Sequence, residues 1–467
     1  MLSISGTPQR FCDGLSRRTF MRIGALGLGG LSLPQLLHAA DPTGRGRRTG
    51  SQKSVIMVYL PGGPPNIDMF DLKPDAPGEI RGSFSPMGTN VSGIRICSHL
   101  PKMARLMDKM VVIRSLVGTE NRHESFQCYS GRSGGRPGDN EPAGGWPTFG
   151  SVVSELQGPG MGGVPPSVDA GPKMGYMPYN NLGWHDAAGV RSWPGFLGRK
   201  HVPFHLDGRG KEDLVLNGIT GDRLGDRRQL LRSFDEFRRS VDSSGEIIDA
   251  LDPYRKQAFN ILTSSRLAEA MDLSREDPLV RERYGEGTST ESSFGGAPND
   301  PQKLLLARRL VEAGARVVNV AFGAWDWHGN RGGSVEKLGK ENFPVFDHAF
   351  STFIQDLDER GMLEDVTVVA WGEFGRTPRI NAKGGRDHWT KTSCALLAGG
   401  GMRTGQVIGE TDAHGGEPVS RPVHIQEVFS TLYHNLGIDV EQATVNDLNG
   451  RPRYLVDENR KAIRELI

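Results

Sequence analysis

The chain has 467 residues, with 56 Lys+Arg against 55 Asp+Glu, a formal net charge of +1 and four cysteines. So even a balance excludes a nucleic-acid surface or a polybasic membrane patch, and the length suits one large domain or two smaller ones. Cys12 lies in the N-terminal segment, and Cys97, Cys128 and Cys394 have no paired spacing, so no disulfide framework is expected.

The N-terminus reads Ser16-Arg17-Arg18-Thr19-Phe20-Met21-Arg22, followed by an uncharged Gly/Leu/Ala run from Ile23 to Leu37. A basic head and an apolar run after twin arginines form a signal for the export of folded proteins. The run is too short and too glycine-rich for a membrane span, which needs about 20 apolar residues. Residues 1–40 are therefore expected to be a twin-arginine signal peptide cleaved near Ala40, with an uncleaved anchor as the rival. Twin-arginine export predicts a periplasmic or extracellular protein that partners the export machinery. Residues 41–53 form a linker, basic and Gly-rich from Gly44 to Lys53.

Five short apolar runs follow: Ser54–Leu60, Lys109–Leu116, Ala315–Phe322, Val366–Trp371 and Ser393–Ala398. Their length and β-branched content predict buried strands. Apolar residues at helical spacing over Gln302–Ala313, Phe343–Leu363 and Val423–Leu436 predict helices. Strands alternating with amphipathic helices imply an α/β layer fold with a mainly parallel sheet. Between Arg132 and Leu206 the chain is crowded with Gly, Pro and Trp, and from Asp222 to Met271 it is helical and charged. The stretch of about 133–300 is therefore expected to be an insertion or cap on a domain spanning 54–467.

Ligands of open α/β sheets bind beyond the carboxyl ends of the strands, and four polar clusters follow predicted strands. The first is Gly62-Gly63-Pro64-Pro65-Asn66-Ile67-Asp68, whose acid also suits a turn or helix cap. The second is Asn121-Arg122-His123-Glu124-Ser125, then Ser130-Gly131-Arg132. Consecutive helical residues do not share a face, so His123, Glu124 and Ser125 are not a ready-made triad. A polar helix start accounts for them equally well. The third, Trp325-Asp326-Trp327-His328, is the strongest. Residues two apart on an extended segment project to one side, so Asp326 and His328 can offer an oxygen and an imidazole nitrogen to a divalent metal. A hydrogen-bonded structural pair is the alternative. The fourth is Gly372-Glu373-Phe374-Gly375-Arg376, then Arg386-Asp387-His388, each piece also readable as a solvated loop. Two Asp-His pairs with Glu373 and Asp68 suit a zinc, manganese, calcium or iron ion. Arg376 and Arg132 can pair bidentately with an oxyanion. A site with two metals can clamp both oxygens of a phosphoryl or sulfuryl transfer.

The chain resembles domain-of-unknown-function family 1501, a family of exported bacterial proteins. The matching stretches are the twin-Arg signal, LPGGPPNIDMFDLKPDAPGEIRGSF, HESFQCYSGR, WDWHGN, WGEFGRTP, GGRDHW and GMRTGQVIGETD, which span nearly the whole mature chain in order. That family is similar to a branch of the alkaline phosphatase and sulfatase superfamily. The resemblance implies a three-layer α/β/α sandwich, a metal centre at the strand ends and hydrolysis of a phosphate or sulfate ester, on a small molecule or a polysaccharide. It assigns Asp68, His123, Asp326, His328, Glu373, Asp387 and His388 as candidate metal ligands. Ser125, Arg132 and Arg376 are the candidate catalytic groups. The sequence departs from the superfamily at the nucleophile, whose position falls near Asn121, which cannot attack. Phe374 also stands where the phosphatases carry a histidine. Ser125 and water activated by the metal remain as attacking groups, and a non-catalytic ligand-binding member of the fold is the alternative. A structural partner in an exported complex is a third reading, resting on the Gly/Pro/Trp-rich insert alone.

Overall fold

SVIMVY, Ser54–Tyr59, forms strand β1 with every residue buried. A strand covered on both faces has no polar side to show, so its sequence is a continuous apolar run rather than an alternation. Val55, Met57 and Tyr59 enter one core, while Ile56 and Val58 enter another, as a period of two requires. The computed structural model describes residues 52–134, 142–158, 160, 164–172, 174–176, 179, 194–206, 265–288, 295–329 and 333–467. The expected signal peptide, nearly all of the expected linker, most of the expected insertion and the expected helical stretch up to residue 264 lie outside these residues.

The other strands that build the sheet or position the site are β2 (Met110–Val117), β3 (Ser167–Asp169), β4 (Phe204–His205), β5 (Val317–Ala321), β6 (Val366–Trp371), β7 (Gly375–Arg376), β8 (His388–Trp389), β9 (Ser393–Gly399), β10 (Gln406–Ile408) and β11 (Val423–His424). Nine of them make one sheet in the order β10-β2-β9-β6-β1-β5-β3-β4, with β11 also paired to β2. β9 runs antiparallel to both of its neighbours. The remaining pairs are parallel. All five predicted strands lie in this mixed, mostly parallel sheet. The short strands β3, β4, β10 and β11 carry too few residues to show a pattern in sequence.

Five helices matter here: α1 (Phe126–Ser130), α2 (Phe149–Gln157), α3 (Pro301–Ala313), α4 (Val335–Glu359) and α5 (Ile425–Asn435). Leu304, Leu305 and Leu310 of α3 and Phe343, Phe346, Phe350 and Phe353 of α4 join Ile56 and Val58 in one core. Phe149, Val152 and Val153 of α2 and Val428, Phe429 and Leu432 of α5 join Val55 and Met57 in the other. Helices thus cover both faces of the sheet, giving three layers. The α4 helix begins roughly two turns earlier than its apolar spacing predicts, because Ser334 caps it by accepting from the Lys337 amide at 3.2 Å; Pro344 lies inside the helix. Among the described residues, Cys97, Cys128 and Cys394 are buried and free, and no helix is long and apolar enough to cross a membrane.

β1, β2, β5 and β6 point the same way, so their carboxyl ends share one edge of the sheet. The loops leaving β2, β5 and β6 carry His123, Asp326, His328 and Glu373, and the loop leaving β1 carries Gly62.

Candidate metal centre

Each loop is pinned by its own chemistry. After β1, Gly62 has φ 95°, and a Cβ there would lie 2.4 Å from the backbone nitrogen of Asp326. Only glycine lets the β1 and β5 loops close on each other. After β5, Trp325 and Trp327 are buried; their indole N–H groups donate to the carbonyls of Phe322 (2.9 Å) and Ala324 (2.7 Å), and their rings pack against Phe343 of α4. The tryptophans therefore anchor the loop in the core, and Asp326 and His328 project from it. After β6, Arg376 of β7 pairs with His388 of β8, which carries His388 back to the strand ends.

The imidazoles converge on Asp326. Its Oδ1 lies 2.9 Å from His328 Nε2 and 3.1 Å from His388 Nε2, and these two nitrogens are 3.0 Å apart. Its Oδ2 lies 3.6 Å from His123 Nε2. His123, Asp326 and His388 can each offer one ligand atom, all within 4.8 Å of one another. The opposite nitrogen of each ring meets an oxygen: His328 Nδ1 meets Asp387 Oδ1 at 2.6 Å, His388 Nδ1 meets Asn121 Oδ1 at 2.7 Å, and His123 Nδ1 meets Glu373 Oε1 at 2.9 Å. A carboxylate or amide oxygen only accepts, so each Nδ1 carries a proton and each neutral ring presents the Nε2 lone pair. Three acceptors crowded about 3 Å apart repel unless a proton or a cation lies among them, and outer oxygens that fix the ring tautomers are characteristic of metal-ligating histidines. The donor set therefore fits a divalent cation.

The electrostatics agree. Burial opposes ionisation of Asp326, yet the imidazoles of His328 and His388 and the Arg376 guanidinium hold its carboxyl well below the usual range. The bond to Asp326 raises His328 above the ordinary imidazole value, since a proton on its Nε2 relieves the crowding. Burial instead lowers His388. Burial also opposes ionisation of Asp387, but His328 and Asn381 hold its carboxyl down.

The sequence candidates divide. His123, Asp326, His328 and His388 come together, and Asp387 supports His328 from outside. Asp68 is turned away into a buried pair with Arg386, whose Nε and Nη2 donate to it at 2.7 and 2.9 Å. Arg376 is buried, and its donors are taken by the carbonyls of Gly62, Gly63, Trp325 and Arg386 and by Asp326, with Nη1 also 3.5 Å from His328 Nε2. It thus holds the loops rather than presenting a fork to an oxyanion. Arg132 stacks on Trp146 at 3.8 Å, pairs with Asp457 and donates to the Leu455 carbonyl at 2.9 Å. The Ser125 hydroxyl is fully buried, without a hydrogen-bond partner among the described residues. Glu373 is also fully buried and faces His123 and the Gly62 amide. The support from Asn121 to His388 was not foreseen, nor was the packing of Tyr176 and Tyr179 against His123, each at 5.3 Å between ring centroids. Both tyrosines sit in the Gly/Pro-rich stretch, where no periodicity marks them.

Among solved structures, the chain is similar to the PsFucS1 sulfatase from Pseudoalteromonas sp., with 12% identity, 84% of this chain and 69% of that one covered, and a TM-score of 0.40. It is similar to the phosphonate monoester hydrolase of Agrobacterium radiobacter at 11% identity, covering 83% and 74% of the two chains, with a TM-score of 0.34. The lipoteichoic acid synthase LtaP from Listeria monocytogenes matches at 11% identity over 87% and 88%, with a TM-score of 0.34. Comparison with curated proteins finds no match. The family model described as "Protein of unknown function (DUF1501)" matches residues 52–467, and the chain belongs to that family.

Proposed function

We propose that this protein is a metal-dependent hydrolase of phosphate or sulfate esters, exported by the twin-arginine route to act outside the cytoplasm. One observation carries the reading: three imidazoles with outward-facing nitrogens engaged by oxygens, and inward-facing ones gathered around Asp326. His123, Asp326 and His388 would hold the ion, with His328 beside them. An imidazole-rich set suits zinc, iron or manganese, whereas calcium takes oxygen ligands. When bound, the ion supplies Lewis acidity toward an ester oxygen and a lowered pKa for water. Asp387 and Asn121 keep the rings of His328 and His388 in one orientation. Arg376 holds Asp326 and the β1 loop together, and the two buried tryptophans keep the β5 loop rigid.

Metal content of the purified mature protein, wild type beside an Asp326→Ala/His328→Ala double variant, tests the reading, followed by turnover of sulfate and phosphate esters. Bound metal and ester cleavage that both disappear in the double variant support it. Metal-loaded protein that cleaves neither ester class, or unchanged metal content in the double variant, overturns it. A second reading, a non-catalytic ligand-binding protein of this fold, is favoured by the burial of the Ser125 hydroxyl and the Cys128 thiol, which keeps both from the surface.

A further inference from the structure

We infer that Glu373 is a positioning residue of this centre and not one of its ligands: it fixes His123 in the tautomer that binds metal. The inference rests on the metal reading above.

Glu373 stands two residues past β6, at a strand end where a carboxylate is readily taken for a ligand. Its side chain is fully buried, and its oxygens are already occupied. The Gly62 amide donates to Oε1 at 2.9 Å and to Oε2 at 3.0 Å, and His123 Nδ1 donates to Oε1 at 2.9 Å. One carboxylate thus joins the loops leaving β1, β2 and β6. His123 in turn lies between Phe374 at 5.1 Å and Tyr179 at 5.3 Å, ring centroid to ring centroid. These edge contacts limit ring rotation but do not choose between its nitrogens. The choice falls to Glu373: an acceptor-only group facing Nδ1 places the proton there and leaves the Nε2 lone pair toward Asp326 Oδ2, 3.6 Å away.

Leucine at this position keeps a side chain of similar bulk but has no acceptor for the His123 Nδ1 proton. Glutamine would not remove that acceptor, since a single oxygen at the Oε1 place accepts from both Gly62 N–H and His123 Nδ1; with leucine the acceptor left to the ring is Asp326 Oδ2 on the Nε2 side, which favours the opposite tautomer, with the proton on Nε2. A ring so protonated cannot offer that nitrogen to a cation.

The test is Glu373→Leu in the full mature chain, read by the imidazole ¹⁵N and ¹H resonances of His123 and by zinc affinity in chelator competition. In the wild type, His123 should hold its proton on Nδ1 with and without zinc. In the variant the proton should move to Nε2, and zinc affinity should fall about 10- to 100-fold, the usual effect of removing an outer partner of a ligating histidine. His123→Ala should lower zinc affinity to a similar degree, and the double variant should lose little more, because both changes remove one interaction. A Glu373→Leu variant with an unmoved His123 proton and wild-type zinc affinity overturns the inference, as do additive losses in the double variant. Should Glu373→Leu fail to fold, the wild type alone decides, because a His123 proton on Nε2 overturns it. Should the wild type take no zinc, the metal reading fails, while the His123 tautomer still reports whether Glu373 sets it.

Discussion

Arg386 grips Asp68 through two hydrogen bonds, Nε to Oδ2 at 2.7 Å and Nη2 to Oδ1 at 2.9 Å, with both side chains buried. The pair ties the segment after β1 to the loop before β8, because Arg386 also donates to the carbonyls of Ile80 and Thr377. Asp68→Ala leaves a buried guanidinium without its counter-ion, a change that typically costs about 3–5 kcal/mol. Urea unfolding should show a loss of that order, while the zinc content of the folded variant stays at the wild-type level. A stable variant that loses zinc would return Asp68 to the ligand set.

Arg376→Lys separates support from substrate binding. Lysine keeps the charge but cannot span Gly62, Gly63, Trp325, Arg386 and Asp326 at once. Several buried carbonyls then lose a charged donor, and stability should fall by at least about 2 kcal/mol, with weaker zinc binding as Asp326 loosens. If stability and zinc affinity hold while affinity for an ester substrate alone declines, Arg376 touches the substrate instead.

Gly62→Ala is expected to disturb the centre without changing any ligand. A methyl group at φ 95° would meet the Asp326 backbone at 2.4 Å, so the β1 and β5 loops must part. Backbone strain of this kind costs about 1–3 kcal/mol. Zinc titration should give a weaker dissociation constant for the alanine variant than for wild type, and equal affinity would show that the loops yield freely.

Glu276 predicts a specific acid limb of stability through its arginine partners. It accepts from Arg308 Nη2 and Arg309 Nη1 at 2.7 Å each and from Arg360 Nη2 at 3.1 Å. Burial opposes its ionisation, but Arg309, Arg308 and Arg360 lower its pKa from 4.5 to about 2. A carboxyl whose folded pKa is depressed contributes stability that is complete above its unfolded value and is lost as pH falls toward the folded one. The contribution is therefore expected above pH 4.5 and should fade between 4.5 and about 2. Its size is on the order of 1–2 kcal/mol, since solvent screens the outer arginines. Glu276→Gln should lower the urea midpoint at pH 6 and narrow its gap to wild type by pH 3. A gap that is constant with pH would assign the effect to packing.

The five strands and the sites after them were legible because burial writes itself locally: a strand covered on both faces must be apolar throughout, as VTVVAW is. The Asp326/His328 spacing was legible for a related reason, since a period of two puts both side chains on one side of an extended segment. The sequence could not assign roles within the clusters. Asp68, Glu373 and Arg376 follow the strand ends just as Asp326 and His328 do. Their separation into buried pair, acceptor for His123 and loop clamp depends on partners such as Arg386, His123 and Gly62, brought near only when the sheet forms.

By itself, then, the sequence determined the layer architecture, the edge of the sheet that carries the chemistry and the residue types gathered there. These follow from hydrophobic periodicity and from glycine-rich turns, which act over a few residues. The tertiary structure alone decided which nitrogen of each histidine faces inward and which acids are already bound. A hydrogen bond between His123 and Glu373, or between His388 and Asn121, is a matter of distance and direction across the fold, and neighbouring residues in the chain do not encode it.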